Sequence, residues 1–214
     1  MRIAFCGKMQ AGKSTAAEHL SARSSFTLFK FAKAVRQVAN IIKEGESPHY
    51  VTQEIIDTLH IDRKYYNGVL KVLGKIFSMR ELNERVWLQE LGTGFRNVIH
   101  KDFWVTIVGE DPMFKKRYEG DYNMVIDDLR FVNEAEFCKK RGFYIVKVKV
   151  STDKQIERFK ANGKMNTKVE DMNHSSEKEV AKIKADDTLN GNLPLDEYKR
   201  SVTEMFGRLY GRSK

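Results

Sequence analysis

Gly7-Lys8-Met9-Gln10-Ala11-Gly12-Lys13-Ser14 is the stretch most plainly built for chemistry. It satisfies G-x-x-x-x-G-K-[ST], a spacing that wraps backbone around a row of phosphates. Gly7 and Gly12 permit backbone angles that other residues resist, so successive N–H groups can turn toward phosphate oxygens. Lys13 brings a cation to the β- and γ-phosphates, and Ser14 offers a hydroxyl to Mg²⁺. A helix beginning here aims its positive end at the same anions. The expected ATP contacts are therefore Gly7, Ala11, Gly12, Lys13, Ser14 and Thr15. An N-K-x-D element, which a GTPase would need for base recognition, is absent from the sequence, and the chain is short for a helicase or motor ATPase.

A second constellation follows the apolar run Met124-Val125-Ile126. Asp127 and Asp128 come next, then Arg130. At the carboxyl end of a parallel strand such carboxylates face a ligand crevice. There they could hold Mg²⁺ or orient the attacking oxygen, while Arg130 offers a fork to phosphate. The bland alternative is a solvated turn with a surface ion pair.

These residues need a scaffold of strands and helices to hold them. Ile3–Cys6 reads as a strand, Lys13–Ala22 as a helix, Phe26–Phe29 as a short strand and Phe31–Lys43 as an amphipathic helix. Residues 44–80 are less regular: Gly45 and Pro48 break the pattern, Thr52–Leu59 is helix-compatible, and Asn67-Gly68 reads as a turn or helix break. Helices are expected over Arg80–Leu91, stopped by Gly92, and over Phe103–Val108. Asn133 is a candidate cap for a helix through Arg141, with Gly142 as its stop. Tyr144–Val150 is a β run, and a last helix begins near Leu195. Residues 151–187 are polar and short of large apolar side chains, which suggests disorder or a mobile lid. The alternation implies a single α/β domain over 1–214: a P-loop NTPase fold with a largely parallel sheet flanked by helices, and a mobile lid at about 151–175.

Composition is compatible with this. The chain has 214 residues, enough for one sizeable core, and 38 Lys+Arg against 29 Asp+Glu leave a net charge of +9. That charge suits nucleotides or nucleic acid, but no basic block or RNA-binding signature favours the latter. Cys6 and Cys138 form no CxxC pair and read as buried, reduced thiols. With no signal peptide and no apolar run long enough to span a bilayer, the expectation is a soluble, cytoplasmic protein, in a host cytoplasm if viral. No membrane and no stable nucleic-acid partner are expected, and a homodimer is left open.

Five stretches together resemble bacteriophage deoxynucleoside monophosphate kinases, members of the nucleoside monophosphate kinase fold. They are the phosphate loop; Phe31-Ala32-Lys33-Ala34-Val35-Arg36; Arg85-Val86-Trp87-Leu88-Gln89-Glu90-Leu91-Gly92-Thr93 with Arg96 and Phe103-Trp104-Val105; Asp128-Leu129-Arg130-Phe131-Val132-Asn133-Glu134; and His174-Ser175-Ser176-Glu177. The third is the most discriminating. The resemblance implies that Arg36, Arg85, Gln89 and Arg130 line a monophosphate acceptor site. Lys8, Arg96, Trp104, Glu134, His174 and Glu177 complete the substrate-binding set. Asp128 would serve the metal or the acceptor phosphate, and Asn190 or Asn192 would lie near adenine. Departures are Gln10 where the family often has Arg, Ala34 for a proline, and Val150 where the family has a lid cation. Arg158 is the substitute for that cation, with Lys160, Lys164 and Lys168 behind it. Trp87 and Trp104 have the core as their rival assignment. His174 reads as a structural hydrogen-bonding group, because transfer to a phosphate needs no strong base.

The implied reaction moves the γ-phosphate of ATP, with Mg²⁺, to a deoxynucleoside 5'-monophosphate. Lys13, Asp128, Arg130 and Arg158 are its expected catalytic residues, and Ser14 and Asp128 its metal contacts. The alternatives are another small-molecule kinase, such as a dephospho-coenzyme A kinase, or a P-loop ATPase that binds nucleic acid.

Overall fold

The computed structural model describes residues 1–78, 84–161 and 175–212. They fall into two compact units, Met1–Lys30 with Pro112–Lys214, and Phe31–Asp111. The first unit is built on a five-stranded sheet. Its strands are β1 (Arg2–Gly7), β2 (Thr27–Phe29), β3 (Met124–Leu129), β4 (Tyr144–Lys149) and β5 (Asp187–Asn190), in the order β2-β3-β1-β4-β5. Every pairing is parallel. Parallel strands share one carboxyl edge. The turns after β1, β3, β4 and β5 therefore all emerge on the same side. Chain order reverses around β1, where a ligand crevice opens in sheets of this kind.

Strand alternation divides the apolar side chains between two faces. Ile3, Phe5, Val125, Val146 and Leu189 pack with Ala16, Ala17 and Leu20 of α1 (Lys13–Ser24). Tyr198, Val202, Met205 and Leu209 of α11 (Leu195–Arg212) close the same cluster. Phe114, on α7 (Pro112–Glu119), meets Phe29 edge-on, Phe137 at a tilt and Phe143 stacked, with ring centroids 5.1, 5.6 and 6.4 Å away. Phe137 belongs to α8 (Val132–Lys140), and α10 (Ser175–Lys182) packs beside that helix. Cys6 and Cys138 are both free and buried, as expected, and burial pushes the Cys6 thiol up to about 11.

The second unit is helical: α2 (Ala32–Glu44), α3 (Pro48–Thr58), a 3-10 turn (Arg63–Tyr65), α4 (Tyr66–Ser78), α5 (Glu84–Val98) and α6 (Phe103–Glu110). Val38, Ile42, Ile55, Val69, Leu73, Leu91 and Phe95 share one core with Trp87 and Trp104. The indole N–H of Trp104 donates to the Gly92 carbonyl at 2.9 Å, and its ring stacks on Phe95 at 5.4 Å. Trp104 is 1% exposed. It belongs to the core of this unit and has no ring face left for a ligand.

The parallel sheet flanked by helices meets the sequence expectation of fold class, with local differences. Asn67-Gly68 lies inside α4, because the apolar face carried by Val69, Val72, Leu73 and Ile76 outweighs the low helix propensity of glycine. Gly92 does not end α5, which continues through Gly94 to Val98, with Phe95 anchoring the added turn. Residues 80–83 of that expected helix lie outside the described residues. Asp127 and Asp128 sit near the carboxyl end of β3, as expected, and the strand runs one residue further to Leu129. Residues 152–161 form helix α9 (Thr152–Ala161), anchored by buried Gln155 and Phe159. The rest of the expected lid, 162–174, lies outside the described residues.

Both tryptophans of the chain lie in the second unit, so fluorescence reports that unit alone. Phe95→Ala should cost about 3–5 kcal/mol in a urea titration followed by tryptophan emission. A loss below about 1 kcal/mol would contradict close packing around Trp104.

Candidate active site

β1 delivers the chain to the phosphate loop at its carboxyl end. Gly7 has φ 146°, and a Cβ there would stand 2.4 Å from the Val148 carbonyl oxygen of β4. Only glycine lets the strand leave its neighbour that closely. Gly12 follows at φ 107° and Gln10 at φ 59°. A non-glycine residue in the left-handed region costs roughly 1 kcal/mol or more, so contacts around the loop must hold Gln10 in place.

Those contacts converge on the loop's carbonyl oxygens. The Lys13 ammonium donates to Gly7 and Lys8, at 2.8 Å each. Gln155 Nε2 donates to Met9 at 2.8 Å. Arg158 Nη1 donates to Gln10 at 2.8 Å, and its Nη2 reaches Gly191 at 2.7 Å. The Tyr198 hydroxyl donates to Gly12 at 3.0 Å. Burial raises the pKa of that phenol and keeps it a donor. Gly191 runs so near that a Cβ on it would meet the Ala11 oxygen at 2.3 Å. The first-turn N–H groups of α1 have no acceptor in their own helix, and Gly12 supplies no side-chain cap. This arrangement ties the carbonyls to protein and leaves donors for an anion. Lys13 is 7% exposed. Gly7 and Lys8 offer it neutral carbonyl oxygens, and a phosphate oxygen would be a stronger partner than either.

The carboxylates arrive on β3. Ala4 pairs with Ile126 and Cys6 with Leu129, so Asp127 and Asp128 together oppose Phe5 in a bulge. Bulges re-aim side chains, often beside active sites. Asp127 is 2% exposed. Its Oδ2 accepts from Lys30 Nζ at 2.9 Å, while its Oδ1 is buried with no partner among the described residues. An orphaned buried carboxylate oxygen costs on the order of 1–3 kcal/mol, which suits an atom reserved for a cation or a proton. Asp128, the carboxylate singled out from sequence, is half-buried beside it. Arg130 follows at the strand end, also half-buried. The buried Glu134 carboxylate accepts from the backbone N–H of Arg130 at 2.8 Å and of Phe131 at 3.1 Å. Glu134 thus fixes the turn that carries Arg130.

Asn192 Oδ1 accepts from Ser151 N at 2.9 Å and Ser151 Oγ at 3.0 Å, and Asn190 Oδ1 accepts from Asn192 N at 3.0 Å. Both asparagines knit the turn after β5, Asn192 joining it to the turn after β4. Beside them a cleft of roughly 380 Å³ is lined by Gln10, Gly12, Thr15, Arg158, Pro194 and Tyr198. Ser14 and Lys8 are exposed at the loop. In the second unit Arg36 is exposed on α2, while Gln89 and Arg96 are half-buried on α5. Arg85 lies in the first turn of α5 and Glu177 in α10, and their side chains lie outside the description. His174, Lys164 and Lys168 lie outside the described residues.

Sequence reasoning overlooked Lys30, Gln155, Tyr198 and Gly191. Gln155 and Arg158 stand three apart on a helix and so share a face, which was a readable signal. Tyr198 looked like one more apolar contact of the last helix, and nothing local marks its hydroxyl.

A parallel sheet whose central strand ends in this loop, with helices on its faces, is the fold of the P-loop kinases. Among solved structures, a shikimate kinase from Aquifex aeolicus vf5 superposes with a TM-score of 0.51 at 18% sequence identity, covering 100% of this chain and 98% of that one. At that identity the likeness is one of fold. No protein-family model and no curated protein sequence matches the chain.

Replacing Arg158 by Ala removes donors from two carbonyls, Gln10 and Gly191. Stability should fall by about 1–3 kcal/mol in chemical denaturation, and amide exchange in residues 8–12 should rise. Unchanged exchange in the loop would show that the guanidinium does not brace it.

Proposed function

We propose that this protein is a small-molecule kinase that transfers the γ-phosphate of ATP to a deoxynucleoside 5'-monophosphate. The observation that carries the kinase reading is the phosphate loop, with its carbonyls bonded outward and Lys13 held at its mouth. The acceptor assignment is supported by the motifs around Arg36, Arg85–Thr93 and Asp128–Glu134.

In this reading the loop and the first turn of α1 hold the β- and γ-phosphates. The obstacle is repulsion between two polyanions, because a monophosphate needs no deprotonation before it attacks. Lys13 and Arg130 offset that charge, and Arg36 and Arg85 seat the acceptor phosphate. Ser14 with Asp127 or Asp128 would hold Mg²⁺, which neutralises charge on the transferred group. Among the described residues no three His, Cys, Asp or Glu converge on one point. Most ligands of the ion would therefore be phosphate oxygens and water. The described helices include none long and apolar enough to cross a membrane.

Asp127 favours one alternative acceptor. A carboxylate with one buried, unpartnered oxygen at the strand end could take a proton from an alcohol, as a hydroxyl acceptor of the shikimate kind would require.

An ADP-release assay across dAMP, dCMP, dGMP, dTMP, dephospho-coenzyme A and shikimate separates these. Turnover with at least one deoxynucleoside monophosphate, and none with the last two, is expected. Lys13→Ala should lower kcat about 100-fold or more, and chelation of Mg²⁺ should do the same. Arg130→Ala should raise KM for the monophosphate about tenfold with the Kd for ATP unchanged. Turnover of shikimate or dephospho-coenzyme A alone would overturn the acceptor assignment. Hydrolysis stimulated by DNA or RNA, without any acceptor, would overturn the kinase reading.

A further inference from the structure

Where α1 packs along α11, the first unit carries another concave surface. It is a cleft of roughly 260 Å³ lined by His19 and Arg23 of α1 and by Asp196, Lys199, Arg200 and Thr203 of α11. At 1.5 Å rise per residue, His19 and Arg23 stand about 9 and 15 Å along α1 from Lys13. The cleft is therefore separate from the phosphate loop.

Its charge is unbalanced. Three cations face one carboxylate, and the side-chain nitrogens of Arg23, Lys199 and Arg200 have no hydrogen bond or ion pair among the described residues. Asp196 bridges none of them, although Arg208 further along α11 pairs with Asp187 at 3.0 Å. His19 senses this field. Its Nε2 meets Thr203 Oγ1 at 2.9 Å, and burial first, then Arg23 and Lys199, lower its pKa below the ordinary histidine value.

We propose that this cleft binds the phosphates of a free phosphorylated small molecule, with Arg23, Lys199 and Arg200 as its donors. Such an anion would give partners to three guanidinium and ammonium groups that Asp196 does not bridge. A nucleic-acid backbone fits less well. Glu18, Glu197 and Glu204 are exposed on the same two helices and interrupt any continuous basic stripe. This inference stands whether or not the acceptor assignment above is correct.

The probe is inorganic tripolyphosphate, added at constant ionic strength to the full chain with ADP already saturating the phosphate loop. The readout is the His19 imidazole resonance, identified by its loss in His19→Gln. A bound polyanion should shift that resonance saturably. It should also raise the His19 pKa, because it offsets the charges of Arg23, Lys199 and Arg200, while Asp196 acts in the same direction in both states. The Arg23→Gln/Arg200→Gln double variant changes two exposed side chains and should weaken tripolyphosphate binding about tenfold or more. An unsaturable shift equal to that caused by KCl, or undiminished affinity in the double variant, would overturn the proposal. So would a DNA duplex that moves the same resonance at lower phosphate concentration than tripolyphosphate.

Discussion

A backbone that turns its N–H groups toward an anion must turn its carbonyls the other way, and buried carbonyls need donors. That constraint organises the first unit. Four side chains from three helices, Lys13, Gln155, Arg158 and Tyr198, donate to Gly7, Lys8, Met9, Gln10 and Gly12. Because those donors come from α1, α9 and α11, all three helices must dock at the carboxyl edge of the sheet. The close approach of Gly191 to Ala11 then follows from where α9 and α11 have to sit, and Asn192 and Ser151 lock the two turns together.

The same edge explains β3. Its bulge places two carboxylates opposite one residue of β1, next to the loop that β1 feeds. Lys30 compensates half of the Asp127 carboxylate, and the other oxygen is left buried without a partner. Such an atom is costly in a resting protein, and a structure that keeps it gains a ready acceptor for a metal-bound water or a substrate proton. Glu134 serves this edge indirectly. By capping α8 it fixes the backbone that sets the direction of Arg130, a positioning contribution where the motif match implies a substrate contact.

Much of this was legible from residue types. The loop, the strand before it and the helix after it follow from glycine spacing and apolar periodicity. The parallel sheet follows from strands alternating with helices. Elsewhere the signals were weaker or were weighed wrongly. Ser47 caps α3 with Pro48 in its first turn, a start signal that Gly45 and Pro48 together make look like a break. Gly92 and Gly94 lie inside α5, where tertiary packing of Leu91 and Phe95 overrides local propensity. Of the distant partners of the loop carbonyls, only the shared helix face of Gln155 and Arg158 was legible, and the atoms they bond were not. Gln155, Arg158 and Tyr198 lie 146, 148 and 186 positions from the residues they bond, and only the assembled sheet brings them back to residues 9–12.

Those distant partners change the meaning of Arg158. Sequence alone casts it as a cation that reaches the phosphates when a lid closes. In the structure its fork is engaged by two backbone carbonyls, one from the phosphate loop and one from the turn after β5. A guanidinium carries five donors, so two such bonds leave three. Held this way the charge is fixed before any ligand arrives, as Lys13 is by Gly7 and Lys8. Charges fixed in advance need no reorganisation as phosphate charge develops, and the electrostatic contribution to catalysis depends on that saving. A cation swinging in from solvent would have to lose its side-chain freedom at the same moment. The carbonyl bonds that shape the loop are thus also what holds positive charge at its rim.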